Sequence, residues 1–129
     1  MTFSMTVLGG SAAWPNAGQG CSAYLLRAGD VSLLLDCGAN TFLVLRKHID
    51  YAAVNAVILS HFHADHMLDL VPYRYGLVYG PSQPEQPIPL WIQPGGIPLL
   101  ETLGTAIGGV SEAGMAFWDN AFELREYDP

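Results

Sequence analysis

Most of the chemistry this sequence offers sits in six consecutive residues, His61, Phe62, His63, Ala64, Asp65 and His66. Three of the four histidines in 129 residues fall inside this stretch, with a carboxylate between the last two. Neutral imidazole suits zinc, iron or manganese, and a carboxylate adds a hard, charged oxygen. His61 and His63 are two positions apart, so in extended backbone their side chains point the same way. Asp65 and His66 follow once the chain begins to bend, and can aim at a second point nearby. Four donors this close serve two adjacent ions more naturally than one tetrahedral site. Two-metal hydrolytic centres hold their ions about 3.5–4 Å apart and share a hydroxide between them. The alternative is a solvated polar loop that happens to be rich in histidine. The H-x-H-x-D-H spacing behind a buried strand favours the metal centre.

The flanking segments read as the elements that would position these donors. Val57-Ile58-Leu59-Ser60 is an apolar, β-branched run, and residues 55–60 read as a buried strand ending at the first histidine. After His66 a helical pattern runs to about Tyr79. Pro72 fits only its first turn, so Asp69 reads as a helix-start residue rather than a ligand. Tyr73, Arg74 and Tyr75 fall near the expected cleft, where they could meet an anionic substrate, although aromatic residues at helical spacing usually pack. Further upstream, a first strand covers residues 3–8, and Gly9-Gly10-Ser11 reads as a tight turn with none of the lysine-bearing pattern of a phosphate loop. The loop over 10–20 carries Trp14, read as a loop anchor in preference to a lid facing substrate.

Cys21–Arg27 and Val31–Asp36 flank Ala28-Gly29-Asp30 as a β-hairpin, with the nearly all-apolar second strand central. Asp36 at its end needs partners, because a buried carboxylate without them is costly. Two accounts stay open: it accepts the N–H of a ligand imidazole and fixes its tautomer, or it accepts backbone N–H groups in the Cys37-Gly38 turn. Asn40 or Thr41 starts a short helix to about Lys47, packed through Phe42, Leu45 and Val44, and His48 at its end reads as a surface residue. A strand over 88–93, a helix over 98–107, a short helix over 111–118 and a last strand over 122–127 complete the pattern. This alternation of strands and helices gives an α/β class.

Leu59-Ser60-His61-Phe62-His63-Ala64-Asp65-His66 resembles the signature of the metallo-β-lactamase-fold hydrolases. Leu8-Gly9-Gly10-Ser11-Ala12-Ala13-Trp14-Pro15 and Leu34-Leu35-Asp36-Cys37-Gly38 resemble its ribonuclease Z-like branch. The resemblance implies an αββα sandwich with a mixed sheet and flanking helices. It implies His61 and His63 on one zinc ion and Asp65 and His66 on a second, with manganese or iron as other occupants. It implies a hydroxide bridging the ions as nucleophile, a phosphodiester substrate (a small molecule or a nucleic acid), and for Asp65 a second role as proton acceptor. Lactones and sulfate esters remain alternative substrates, and a non-catalytic metal-binding fragment the alternative function. That family completes its site with two histidines and an aspartate from the second half of the domain, and no histidine follows His66 here. The resemblance therefore implies that residues 1–129 form the amino-terminal part of such a domain.

The bulk composition sets outer limits. Half of the residues are hydrophobic and 13% are charged, so an isolated half-sandwich would expose core surface. Five basic against twelve acidic residues give a net charge of −7, which disfavours non-specific attraction to phosphate backbones. No run is long enough to span a membrane, and no basic leader precedes an apolar stretch. Cys21 and Cys37 lack C-x-x-C spacing and read as reduced thiols of a cytoplasmic protein. Homodimerisation is left open.

Overall fold

Runs rich in leucine, valine and isoleucine build most of the seven strands in the computed structural model, which describes residues 2–109 and 113–128. These are β1 (Phe3–Ser11), β2 (Gly20–Cys21), β3 (Ala23–Ala28), β4 (Val31–Leu35), β5 (Ala56–Ile58), β6 (Ile88–Ile92) and β7 (Phe122–Glu126). They form one sheet in the order β2-β1-β3-β4-β5-β6-β7. The β1–β3 and β3–β4 pairs are antiparallel, and β4 through β7 run parallel, so the sheet is mixed. Helices fill the parallel crossovers: α1 (Thr41–Leu45) before β5, α2 (Ala64–Met67) and α3 (Leu70–Tyr79) before β6, α4 (Gly96–Gly108) and α5 (Ala116–Asp119) before β7. Three successive right-handed crossovers in one direction along a sheet put their helices on one face.

The register shows what that face buries. Leu25, Leu34, Val57 and Leu90 are cross-strand neighbours in a single row, each fully buried, and they meet Leu45, Leu70, Tyr73, Leu77, Leu100, Phe117 and Trp118 in one core. The α/β expectation holds, and so does the central position of Val31–Leu35.

The other face of the sheet has no such cover. One row across it reads Val7, Tyr24, Leu35, Ile58, Trp91 and Arg125, and the next reads Met5, Leu26, Leu33 and Ala56. Phe3, Met5 and Val7 are 68%, 58% and 54% exposed. The only charges in these rows lie at the β7 edge, where Arg125 pairs with Glu123 and stacks 5.3 Å from the centre of the Trp91 ring. Among the described residues this face is therefore apolar and partly open at its β1 end.

Several local expectations are corrected. Gly9-Gly10-Ser11 is not a turn but the end of β1, and Gly9 pairs with Gly20 of β2. A Cβ on Gly9 would lie 2.1 Å from the Cys21 carbonyl oxygen, so glycine is there for close approach and not for a turn. The helix after His66 is two helices. The Asp69 N–H leaves the helical ladder for the Cys37 carbonyl at 3.0 Å, and the break falls there, with Pro72 in the first turn of α3. Ser111 lies outside the described residues, and the helix expected from it appears as the shorter α5.

The two faces should respond oppositely to substitution. Leu34→Ala should cost about 2–5 kcal/mol in urea unfolding. Met5→Lys with Val7→Lys should leave the far-ultraviolet circular dichroism spectrum unchanged, while lowering both dye binding to apolar surface and self-association in sedimentation.

Candidate metal centre

The bend that carries the histidines is fixed by hydrogen bonds from three directions. The Asp36 N–H donates to the Ile58 carbonyl and the Leu59 N–H donates to the Trp91 carbonyl, both at 2.9 Å, so sheet pairing continues to the last residue before Ser60. The Asp36 side chain, 10% exposed, then crosses to the turn. Its Oδ1 accepts the Ser60 N–H at 2.7 Å, and its Oδ2 accepts the Ser60 hydroxyl at 2.9 Å and lies 2.8 Å from His66 Nδ1. From the opposite side, the Tyr127 hydroxyl lies 3.1 Å from both the Leu59 and the Ser60 carbonyl oxygens. Cys37 donates its N–H to the His66 carbonyl at 2.7 Å. At Gly38 a Cβ would lie 2.1 Å from the Asp65 carbonyl oxygen, so only glycine lets α2 come this near.

Of the two accounts of Asp36, the structure shows the imidazole one. The N–H groups of Cys37 and Gly38 go instead to the carbonyls of His66 and Ser22. Asp36 itself sits at φ 60°, a left-handed conformation unusual for a residue with a Cβ, which turns its carboxylate back towards β5.

The four predicted donors come together. The His61 ring centre lies 4.7 Å from that of His63 and 4.1 Å from that of His66. His66 Nε2 lies 3.2 Å from Asp65 Oδ2. His63 precedes α2 and is exposed, whereas His61, Asp65 and His66 are partly buried. Among the described residues, no three His, Cys, Asp or Glu side chains converge closely enough to hold one ion by themselves. The His61 ring faces both His63 and His66, and His66 in turn faces the Asp65 carboxylate. In donor type they fit divalent cations, with coordination to be completed by further groups.

Other residues proposed for the cleft lie elsewhere. Tyr73 and Arg74 are fully buried under the sheet, a correction to any substrate-facing role. The Tyr73 hydroxyl donates to the Tyr51 carbonyl at 2.6 Å, and Arg74 Nε donates to the Phe117 carbonyl at 2.6 Å. Tyr75 packs its ring against Phe117 and Tyr79. His48 is exposed, as expected. Trp14 is 73% exposed and anchors nothing; its loop is tied instead by the Ser11 hydroxyl, which donates to the Gln19 carbonyl and accepts the Asn16 N–H. Asp69 starts α3, as expected, but its side chain makes no cap bond there: its Oδ2 accepts the Phe42 N–H at 2.7 Å in the first turn of α1. Burial raises its carboxyl pKa, and the N–H groups of Phe42 and Asn40 oppose that shift. Two residues that hold the site, Ser60 and Tyr127, carry no signal in their spacing.

Residues 3–112 match the family described as the Anti-Pycsar protein Apyc1. The chain belongs to that family. The Apyc1-family chain is also 36% identical over 78 residues to the probable metallo-hydrolase YhfI of Bacillus subtilis, a stretch of 60% of this chain and 32% of that protein. It is 40% identical over 53 residues to ribonuclease Z of Metallosphaera sedula, covering 40% of this chain and 18% of that enzyme. Among solved structures, the metallo-β-lactamase-fold protein YhfI superposes with a TM-score of 0.79 at 26% identity, over 98% of this chain and 47% of YhfI. Human tRNase Z, short form, superposes at 0.71 with 24% identity, covering 97% of this chain and 44% of that one. Zinc-bound PqqB of Methylobacterium extorquens superposes at 0.66 with 15% identity, covering 98% and 46%. The fold is thus that of the metallo-β-lactamase superfamily, and the Apyc1-family chain spans less than half the length of each of these relatives. Among the described residues no helix is long and apolar enough to cross a membrane.

Both cysteines are buried and free. Burial, and then the charges of Asp69 and Asp36, push the Cys37 thiol well above its ordinary 9.0. Burial likewise pushes up the Tyr73 phenol. The folded chain therefore holds protons that the unfolded chain releases, so stability should fall as pH rises above about 9. Urea midpoints between pH 7 and 10 check this. Cys37 should also resist iodoacetamide until the chain is unfolded.

Proposed function

We propose that residues 1–129 are the amino-terminal part of a metal-dependent hydrolase that cleaves phosphodiester bonds. The observation that carries this reading is the meeting of three imidazoles and one carboxylate at a bend braced by the buried Asp36. His61 and His63 would hold one cation, Asp65 and His66 a second. Bound divalent ions supply Lewis acidity and make water ionisable near neutral pH. Zinc is the first choice for such nitrogen and oxygen donors, with manganese or iron as alternatives. Asp65, whose Oδ2 lies 3.2 Å from His66 Nε2, would take a proton from an attacking water as well as bind.

Membership of a family with metallo-hydrolase and ribonuclease Z relatives supports hydrolysis, and the ribonuclease Z likeness favours phosphorus over a carbonyl centre. With a net charge of −7, the chain is suited to a small phosphodiester better than to a long polyanion. A second reading, a metal-binding piece without turnover of its own, is favoured because no three such side chains converge on one point among the described residues, and by the short span relative to the homologues.

Zinc retained after dialysis and hydrolysis of bis(p-nitrophenyl) phosphate test the proposal together. The chain should retain zinc and turn the ester over slowly, and His63→Ala should bring both to background. Zinc retention with no turnover would select the second reading. Zinc and turnover that survive His63→Ala would mean the site lies elsewhere. Faster cleavage of lactones or sulfate esters would move the substrate class.

A further inference from the structure

Ser60 is not one of the donors, yet every polar group it has is engaged. Its N–H donates to Asp36 Oδ1 at 2.7 Å, its carbonyl lies 3.1 Å from the Tyr127 hydroxyl, and its Oγ lies between two partners. Those partners are Asp36 Oδ2 at 2.9 Å and His61 Nδ1 at 3.0 Å. A hydroxyl has one proton to give and lone pairs to offer. A carboxylate is the stronger acceptor, and its hydrogen bonds are shorter and stronger than neutral ones. The serine proton therefore goes to Asp36, and Oγ faces His61 Nδ1 as an acceptor.

A neutral imidazole carries one N–H. If Nδ1 holds it, Nε2 keeps its lone pair, and Nε2 is then the atom free to bind a cation. The same Asp36 oxygen faces His66 Nδ1 directly at 2.8 Å, nearer than Asp65 Oδ2 lies to His66 Nε2 at 3.2 Å, so the closer carboxylate favours the proton on Nδ1 there too. One carboxylate thus sets two rings, His66 by contact and His61 through a serine hydroxyl. Among the described residues His63 has no comparable tie.

We infer that Ser60 is a positioning residue that relays Asp36 to His61 and fixes the His61 tautomer with the proton on Nδ1. Its value for metal binding rests on the hydrolase reading above, but the tautomer itself does not, and the two can be tested apart. Groups that orient a ligand imidazole typically matter 10–100-fold to metal affinity, roughly the loss expected here.

The experiment is a long-range proton–nitrogen correlation spectrum of the metal-free chain at about pH 8.5, above the ordinary imidazole range. It compares the wild type with Ser60→Ala and Ser60→Thr, with circular dichroism to establish that each is folded. The wild type and Ser60→Thr should show His61 protonated at Nδ1, Ser60→Ala should show a mixture of tautomers at His61, and His63 should be the same in all three. Zinc affinity should fall roughly 10–100-fold in Ser60→Ala and recover in Ser60→Thr. A wild-type His61 protonated at Nε2, or a His61 unchanged in Ser60→Ala, would overturn the inference. A tautomer change without zinc uptake by any variant would uphold the relay and remove the metal reading.

Discussion

A carboxylate taken out of water needs its lone pairs used, because an unpaired buried charge costs several kcal/mol. Asp36 meets that demand with the Ser60 N–H, the Ser60 hydroxyl and the His66 ring. Each partner lies on a different part of the chain: Asp36 follows β4, Ser60 follows β5, and His66 belongs to α2. One side chain therefore ties two adjacent parallel strands to the helix that follows the second. The left-handed backbone at Asp36 carries a local cost of about 1–3 kcal/mol that the surrounding contacts must offset. Such strain is common where a structure holds groups in place for binding or chemistry.

The sheet makes this arrangement rigid from below. Asp36 and Leu59 are held by backbone pairing one residue beyond the strands proper, and Tyr127, just past β7, reaches back to the same bend. The donors thus sit at the carboxyl ends of the parallel strands, where open α/β sheets place their ligands. The uncovered face, with Val7, Tyr24, Leu35, Ile58 and Trp91 in one row, is of the kind a second layer buries in a sandwich. Among the described residues the four side chains meet at one end of the sheet, and its helices pack on one face.

The motif and the hairpin were legible because both rest on local pattern. The Ala28-Gly29-Asp30 turn and the nearly all-apolar run after it marked β3 and β4, and the H-x-H-x-D-H spacing marked the bend. The need of a buried carboxylate for partners marked Asp36 as consequential before its partners were known. What could not be read depends on contacts remote in sequence. Gly9 looked like a turn residue because its reason, the Cys21 carbonyl pressing on it, is twelve residues away. Asp69 looked like the cap of its own helix, but its side chain caps α1 through Phe42. Tyr127 lies 67 residues from Ser60, and nothing in its neighbourhood marks it. Arg74 looked able to meet an anion near the cleft because of its charge, whereas its guanidinium packs 4.1 Å from the centre of the Phe117 ring.

The central claim is that the bend braced by Asp36 aims four side chains at bound cations. Diffraction from crystals of the chain grown with zinc, recorded on both sides of the zinc absorption edge, tests it most directly. The account predicts anomalous density within coordination distance of His61 and His63, and again beside Asp65 and His66. Density confined to His48 or to surface carboxylates, with the bend free of it, would contradict the account.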